Sequence, residues 1–443
     1  MRSSLRAAWL GVNASYWFLP TVLSISALLA SLLTVEIDRS GAAAWLNEVA
    51  WLHPSRPDGA RSQLTVIATS MISVASTVFA ITIAAVAYAS GSYGPRLLTN
   101  FMQNRGNQVS LAVFIATFVY NLMVLRVVRS AQEAAATIEG ATATPLPGFV
   151  PQLSLLVSAA SVIIAVGVLV YFLHHIPASI RINSVLAGIG RRLVADIETR
   201  FPDGAQANGP VEAGEGQPVE AADIGYIEII DFRELGRLAE EAGVTVALKV
   251  RTGDFVHPHL PLIEVSGGNV TDKLAERLRG CFSLGASRTP TQDLEFLIDE
   301  LVEIALRALS PGINDPFTAI TSLHWMGAAM AKLADRDLCR GPEQDEYDPE
   351  RVRPVADGFE HFLKRSFGGV RASAAANVMA GKIFIDTLFG VATGTSSRER
   401  VALLRDEARL LMRQAETELA GPALEELRKR LENFEQAVAG KAA

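Results

Sequence analysis

Four long apolar stretches packed into the first ~175 residues limit this chain more than any other feature. They run over Tyr16–Val35, Leu64–Ala89, Val109–Val128 and Leu153–Leu173, and none holds an ionisable side chain at its centre. Each is near the ~20 residues that a helix needs to cross the hydrocarbon core of a bilayer. One such run can be a buried soluble helix; four in one block cannot all be. The first is longer than a signal-peptide core and three more follow it, so it reads as retained. The expected fold class is an α-helical membrane protein of about four transmembrane helices with an α+β water-soluble domain behind them. The segmentation is a transmembrane domain over 1–175 and a connecting helix over 176–201. A flexible insertion over 202–222 is followed by a small α+β module with helices over 223–335. A charged loop over 336–358 and a helical region over 359–443 complete the chain.

Composition supports that division. The net charge is −7, 49% of residues are hydrophobic and mean hydropathy is +0.25, with the apolar excess in the first half. Cys281 and Cys339 stand far apart in the polar half with no CxxC or His-rich company. No disulfide framework, metal site or cofactor is expected from them. The mild acidity, without a clustered basic stripe, argues against a nucleic-acid partner.

Lys and Arg in short loops set orientation. Arg2 and Arg6 precede the first span, Arg96 and Arg105 follow the second, and Arg181, Arg191 and Arg192 follow the fourth. The loop after the first span mixes Arg39, Arg56 and Arg61 with Glu36, Asp38, Glu48 and Asp58. Arg126 and Arg129 after the third run against the pattern, but the balance places both termini in the cytoplasm. Trp45, Leu46, Val49 and Leu52, with Trp51, suggest a helix lying in the outer interface, and Trp9, Tyr16 and Trp17 an inner aromatic belt.

Polar residues within the spans are few. Thr65, Thr69, Ser73, Ser76 and Thr77 fall on an arc of roughly 120° at 100° per residue. They line either a hydrated path or a helix–helix contact. Ser154, Ser158, Ser161 and Ala165 form a small-xxx-small stripe in the fourth span. Asn121 is the one amide at membrane depth, serving an interhelical hydrogen bond or a permeation path. No acid, Lys or His sits mid-membrane to relay protons or hold a coupling ion, which removes the usual mark of a pump or secondary transporter.

In the polar half, Tyr226–Ile230, Val244–Val250, Phe255-Val256 and Leu262–Val265 read as strands and Arg233–Ala242 as a helix. The short strands about a Gly-Asp-Phe-Val turn resemble half of a lipoyl-type barrel, without the lysine that would carry a cofactor. His257 and His259 read as turn residues before metal ligands. Thr289-Pro290-Thr291-Gln292 is a capping box for a helix reaching about Leu309, and Ser310-Pro311-Gly312 ends it, with Gly312 in the left-handed position. Asp315-Pro316 caps and opens the next helix. Glu295, Asp299, Glu300 and Glu303 line the first helix, where surface charge is the ordinary reading. Leu424, Leu427, Leu431, Phe434 and Val438 form a seam for a helix hairpin or a subunit contact. Nucleotide-binding loops, a GxSxG elbow, HExxH and EF-hand loops are missing from the sequence.

Several blocks carry a resemblance: Pro95-Arg96; Phe118-x-Tyr120 with Leu125-Arg126; Gly225-Tyr226 with Ile230-Asp231; and Gly253-Asp254-Phe255-Val256. The most specific are Arg288-Thr289-x-x-Gln292-Asp293 and Arg307-Ala308-Leu309-Ser310-Pro311-Gly312-Ile313-Asn314-Asp315-Pro316-Phe317-Thr318-Ala319. From the second span to about residue 330 the chain resembles a family of bacterial predicted membrane proteins carrying a domain of unknown function. It departs from that pattern at Tyr93-Gly94 and at His259, where glycine is expected. The resemblance implies a four-span bacterial inner-membrane protein with a cytoplasmic domain, and no particular reaction.

Three functions compete. The first is a homo-oligomeric channel or pore-like protein whose cytoplasmic domain gates or assembles it. The second is a membrane-anchored sensor or scaffold that binds a ligand of unknown identity or a protein. The third, an enzyme, has the least behind it. Arg288, Gln292, Asp293, Arg307, Asn314 and Asp315 are the site candidates in the polar half, as a ligand pocket or as a buried polar lock between helices.

Overall fold

The computed structural model describes residues 12, 15–43, 45, 56–94, 105–130, 148–203, 216–338, 346–355 and 358–442. Arg2, Arg6, Trp9, Arg96, Cys339 and the interfacial residues 46–52 lie outside them. The chain divides into two units, residues 11–180 and the residues from Arg181 onward.

The first unit is built from α1 (Phe18–Ser40), α2 (Pro57–Tyr93), α3 (Arg105–Leu125) and α4 (Gln152–Ile180). All four contain windows apolar and long enough to span a membrane. The helices outrun the apolar stretches read from sequence, most of all α2, which opens on Pro57 after an extended Arg56. Gly41 stops α1 in the left-handed conformation, its amide bonded to the Asp38 carbonyl. Helix α3 packs against the other three, and Phe114, Leu111, Tyr120 and Val124 are buried along it. The outer helices leave Leu29, Leu33, Ile163, Ile164 and Leu173 exposed. An apolar skin of that kind suits lipid and not water.

A distant carboxylate starts α4. Asp38, at the end of α1, accepts from the amides of Leu153 (2.9 Å) and Ser154 (3.0 Å) and from the Ser154 hydroxyl (2.8 Å). It meets the free N–H groups and positive end of the helix. One turn along, the Tyr120 hydroxyl lies 2.9 Å from Thr34 Oγ1 and donates to the Ser154 carbonyl, so a single phenol joins α1, α3 and α4.

The second unit begins with α5 (Ile182–Arg200) and continues β1 (Gln217–Glu220), β2 (Gly225–Ile230), α6 (Phe232–Ala242), β3 (Thr245–Leu248), β4 (Phe255–Val256), β5 (Pro261–Ser266), α7 (Asp272–Arg279) and β6 (Phe282–Gly285). Then come α8 (Leu294–Ala308), α9 (Pro316–Leu333), β7 (Val352–Arg353), α10 (Phe359–Leu363), a π-helical turn (Lys364–Gly368), α11 (Gly369–Ala375), α12 (Val378–Gly394), α13 (Arg398–Glu418) and α14 (Pro422–Ala442). The strands form one sheet ordered β1-β5-β3-β7 and another ordered β4-β2-β6, in place of half a barrel. Both sheets share a core around Ile227, Leu235, Val246, Ile263 and Phe282. Helix α14 packs on α12 and α13, so its apolar seam serves a hairpin within the chain.

Four local expectations are corrected. The segment 202–222 contains β1, paired antiparallel with β5, and the charged stretch 336–358 contributes β7, paired parallel with β3. Helix α8 is capped by Asp293, whose side chain accepts from the Phe296 amide at 3.0 Å, and not by the Thr289 box. The left-handed residue at the α8–α9 turn is Asn314 (φ 50°), not Gly312.

Candidate functional site

The sequence candidates fall into three places. The first is the outer face of α2. Thr65, Thr69, Ser73, Ser76 and Thr77 are all exposed, turned away from α1, α3 and α4. Three of the hydroxyls bond their own helix: Ser73 to the Thr69 carbonyl (2.8 Å), Ser76 to that of Ile72 (2.9 Å) and Thr77 to that of Ser73 (3.0 Å). The same face continues through Ser62 on one side and Ala80, Ala84, Ala87 and Gly91 on the other, also exposed. Small residues therefore recur along this face of a helix about 55 Å long at 1.5 Å per residue, with Val66 and Ile83 exposed among them. Asn121 belongs elsewhere. It is fully buried, its Nδ2 donating to the Thr117 carbonyl (2.7 Å) and its Oδ1 accepting from Ser158 of α4 (2.5 Å). Both ends of the amide are used, one within α3 and one across to α4.

The second place is a charged seam where the sheets meet the helices of the second unit. Arg288 donates through Nε and Nη2 to Asp293 Oδ2 (2.9 and 2.6 Å) and through Nη1 to Asp299 (2.5 Å), with its head over the Phe296 ring. Arg365, in the π-helical turn, donates to both oxygens of Asp299 (2.8 and 2.7 Å) and pairs with Glu295 at 2.5 Å. Glu295 also meets His361 Nε2 at 2.7 Å. Two arginines and three carboxylates thus alternate along α8, and a π-helical turn is a common marker of a functional position. Gln292 acts differently. Its Oε1 accepts from the Ile230 amide (2.9 Å) and its Nε2 donates to the Ile230 carbonyl (3.2 Å). It pairs with the end of β2 much as another strand would.

The seam also accounts for the Gly253-Asp254 turn. Gly253 has φ 94°, and a Cβ there would fall 2.1 Å from Asp293 Oδ2 and 2.9 Å from Arg288 Nε. Only glycine lets this turn close on the Arg288–Asp293 pair. The Asp254 carboxylate accepts from the Arg251 amide at 2.7 Å and fixes the turn. Burial pushes the Asp293 carboxyl up to about 6 against the pull of Arg288. Burial also works to raise Glu295, but the His361 hydrogen bond and the charges of Arg365 and His361 outweigh it and hold that carboxyl below its ordinary value. A cavity of about 20 Å³ opens beside the pair, lined by Arg200, Arg251, Thr252, Gln292, Asp293 and Glu295 among others. It has room for about one water.

The third place is the α8–α9 turn. Arg307, Asn314 and Asp315 lie there, at the opposite end of α8 from Asp293, about 22 Å away along the helix. One pocket does not hold all six candidates. Asp315 caps α9, accepting from the Thr318 amide (3.2 Å) and hydroxyl (2.6 Å). Asn314 is exposed, and its left-handed backbone lets its amide bond the Ser310 carbonyl (2.9 Å) while Asp315 bonds that of Ala308 (2.8 Å). Backbone conformation, not a buried side-chain partner, accounts for the asparagine.

Among the described residues His259 is the other non-glycine residue with a left-handed backbone, at φ 76°, where a glycine pattern is departed from. Sequence reasoning missed Arg365 and His361, which sit 66 residues from their partners on α8, and missed Asp38, read only as a loop charge. Among the described residues no cluster of His, Cys, Asp and Glu could hold a metal ion.

No solved structure matches the chain. An uncharacterized protein of Mycobacterium bovis and another of Mycobacterium tuberculosis are each 27% identical to it over 374 residues, 82% of this chain and 70% of theirs. Residues 13–388 match the family described as predicted membrane protein, DUF2254. With four membrane-length helices followed by small sheets and helices, the chain belongs to that family of predicted membrane proteins.

Proposed function

We propose that this protein is a homo-oligomeric, pore-like protein of the bacterial inner membrane, with α2 of each copy facing a shared axis and both termini in the cytoplasm. One observation carries the reading: the hydroxyl strip of α2 points out of the four-helix unit rather than into it. Packing among the described helices of one chain therefore does not account for the strip. In lipid it gains little, because small side chains bury little area; against other copies it permits close approach, and at an axis its hydroxyls face water. Arg105, Arg181, Arg191 and Arg192 favour the cytoplasmic side for the second unit. That unit acts as the assembly and regulatory part.

The test is reconstitution into liposomes with Ser73→Cys. A hydrated axis makes this cysteine react with a membrane-impermeant thiol reagent and makes ion flux sensitive to the modification. Protection of positions 69, 73 and 76 alike, with no flux, overturns the pore.

A second reading, a membrane-anchored sensor, draws on the seam. Arg200, the last residue of α5, lines the cavity beside Asp293, and α5 opens two residues after the last span ends. A ligand or proton at the seam would in this way act on the segment that leaves the membrane. Isothermal titration of the intact protein against small anions and cations, with Arg251→Ala as control, tests it.

A further inference from the structure

Helices α5 and α9 run side by side in the same direction. The Trp325 ring sits where a Cβ on Gly190 would fall, 2.2 Å from its nearest atoms. Further along, Lys332 pairs with Glu198 at 2.7 Å, and Arg336 donates to the carbonyl of Phe201. Gly190 to Glu198 is eight residues and Trp325 to Lys332 is seven, so the helices keep step. Eight residues back from each of the first contacts stand Ile182 on α5 and Phe317 on α9. Ile182 is separated from the end of α4 by Arg181 alone. The membrane-length part of α4 ends at Ile176, and the four further helical residues to Ile180 advance about 6 Å, close to the thickness of a headgroup layer. Phe317 thus lies at the end of the second unit by which the chain enters it from the last span.

That end is apolar where it is exposed. Phe317 is 68% exposed, Ile313 49% and Leu306 37%, around exposed Pro311 and Gly312. Between residues 308 and 317 the one charged side chain is Asp315, whose carboxylate is engaged by Thr318. Arg181, exposed at the same end, offers a cation to lipid phosphate. Protruding aromatic and aliphatic tips, a neighbouring arginine and no free acid match the interfacial zone of a bilayer.

We propose that the Ser310–Phe317 turn is a membrane-surface anchor, with Ile313 and Phe317 seated in the headgroup layer of the bilayer that the chain's own spans cross. The anchor does not depend on pore formation. It gives the α8–α9 turn, the most specific block of the sequence, a role that capping alone does not.

The full chain is tested in nanodiscs of mixed zwitterionic and anionic lipid, with Cys339→Ala and the buried Cys281 retained. A nitroxide is placed at Ile313→Cys, at Phe317→Cys and, as control, at Ala331→Cys on the exposed face of α9 fourteen residues on. Seating in the headgroups makes the ratio of collisions with oxygen to collisions with a water-soluble nickel chelate several-fold higher at 313 and 317 than at 331. Equal ratios at the three positions overturn the proposal. Shielding of 313 and 317 from both probes also overturns it, and assigns the turn to a protein contact.

Discussion

Replacing Asp293 with asparagine removes one ionisable group from the seam and keeps the oxygen that caps α8. The carboxyl rises from 3.8 to about 6 in the fold because burial penalises its charge more than Arg288 rewards it. A carboxyl raised in this way favours the folded state when protonated. Its stabilising contribution is complete below 3.8 and is lost as pH rises through about 6. At 1.36 kcal/mol for each pH unit, the shift corresponds to about 3 kcal/mol. An amide in its place has no such dependence. The stability of wild type minus that of Asp293→Asn should therefore fall by up to about 3 kcal/mol between about pH 4 and about pH 7. Cys281 supplies the assay. It is buried in the core shared by the two sheets, and in Cys339→Ala protein its reaction with 4,4′-dithiodipyridine, which proceeds in acid, reports unfolding of that core in urea. A difference that stays flat refutes the reasoning. A difference that rises with pH means that the Arg288 pair holds the carboxylate ionised and outweighs its burial.

Gly253→Ala should lower stability by about 3 kcal/mol in the same assay, from a left-handed backbone and a Cβ driven into the Arg288–Asp293 pair. His259→Gly should raise it by about 1 kcal/mol, since φ 76° strains a side-chain-bearing residue and the exposed contact with Glu220 is weak. Asn314→Gly should be nearly neutral while Asn314→Val costs about 1–2 kcal/mol, both read from thermal unfolding of the full chain; equal losses would implicate the side chain instead of the backbone. Asp38→Ala should cost about 1–2 kcal/mol in the membrane unit, measured by protease resistance during heating in detergent, because the first amides of α4 lose their acceptor.

How much of this was legible follows from how local each signal is. The spans were plain because about twenty apolar residues in a row have few other uses, and Asp315 because a cap acts on amides two or three residues along. The sheets were half legible: β2 and β5 show their buried alternation, but β1 contributes one buried side chain, Val219, and β7 is a Val-Arg pair held by backbone bonds. Asp293 was hidden behind the Thr289-Pro290-Thr291-Gln292 pattern; in the fold Gln292 bonds the Ile230 backbone and Asp293 takes the cap. Arg365 and His361 reach α8 from a distant helix, and no spacing announces such a partner. Asn314 suggests a side-chain role in sequence, while in the fold its left-handed backbone angle is the reason for it.

Native mass spectrometry of the intact protein released from nanodiscs tests the central claim most directly. Assembly through α2 predicts a multiple of the single-chain mass, reduced to one chain by Ser73→Leu, whose larger side chain props the small strip apart. A single-chain mass for the wild-type protein contradicts it.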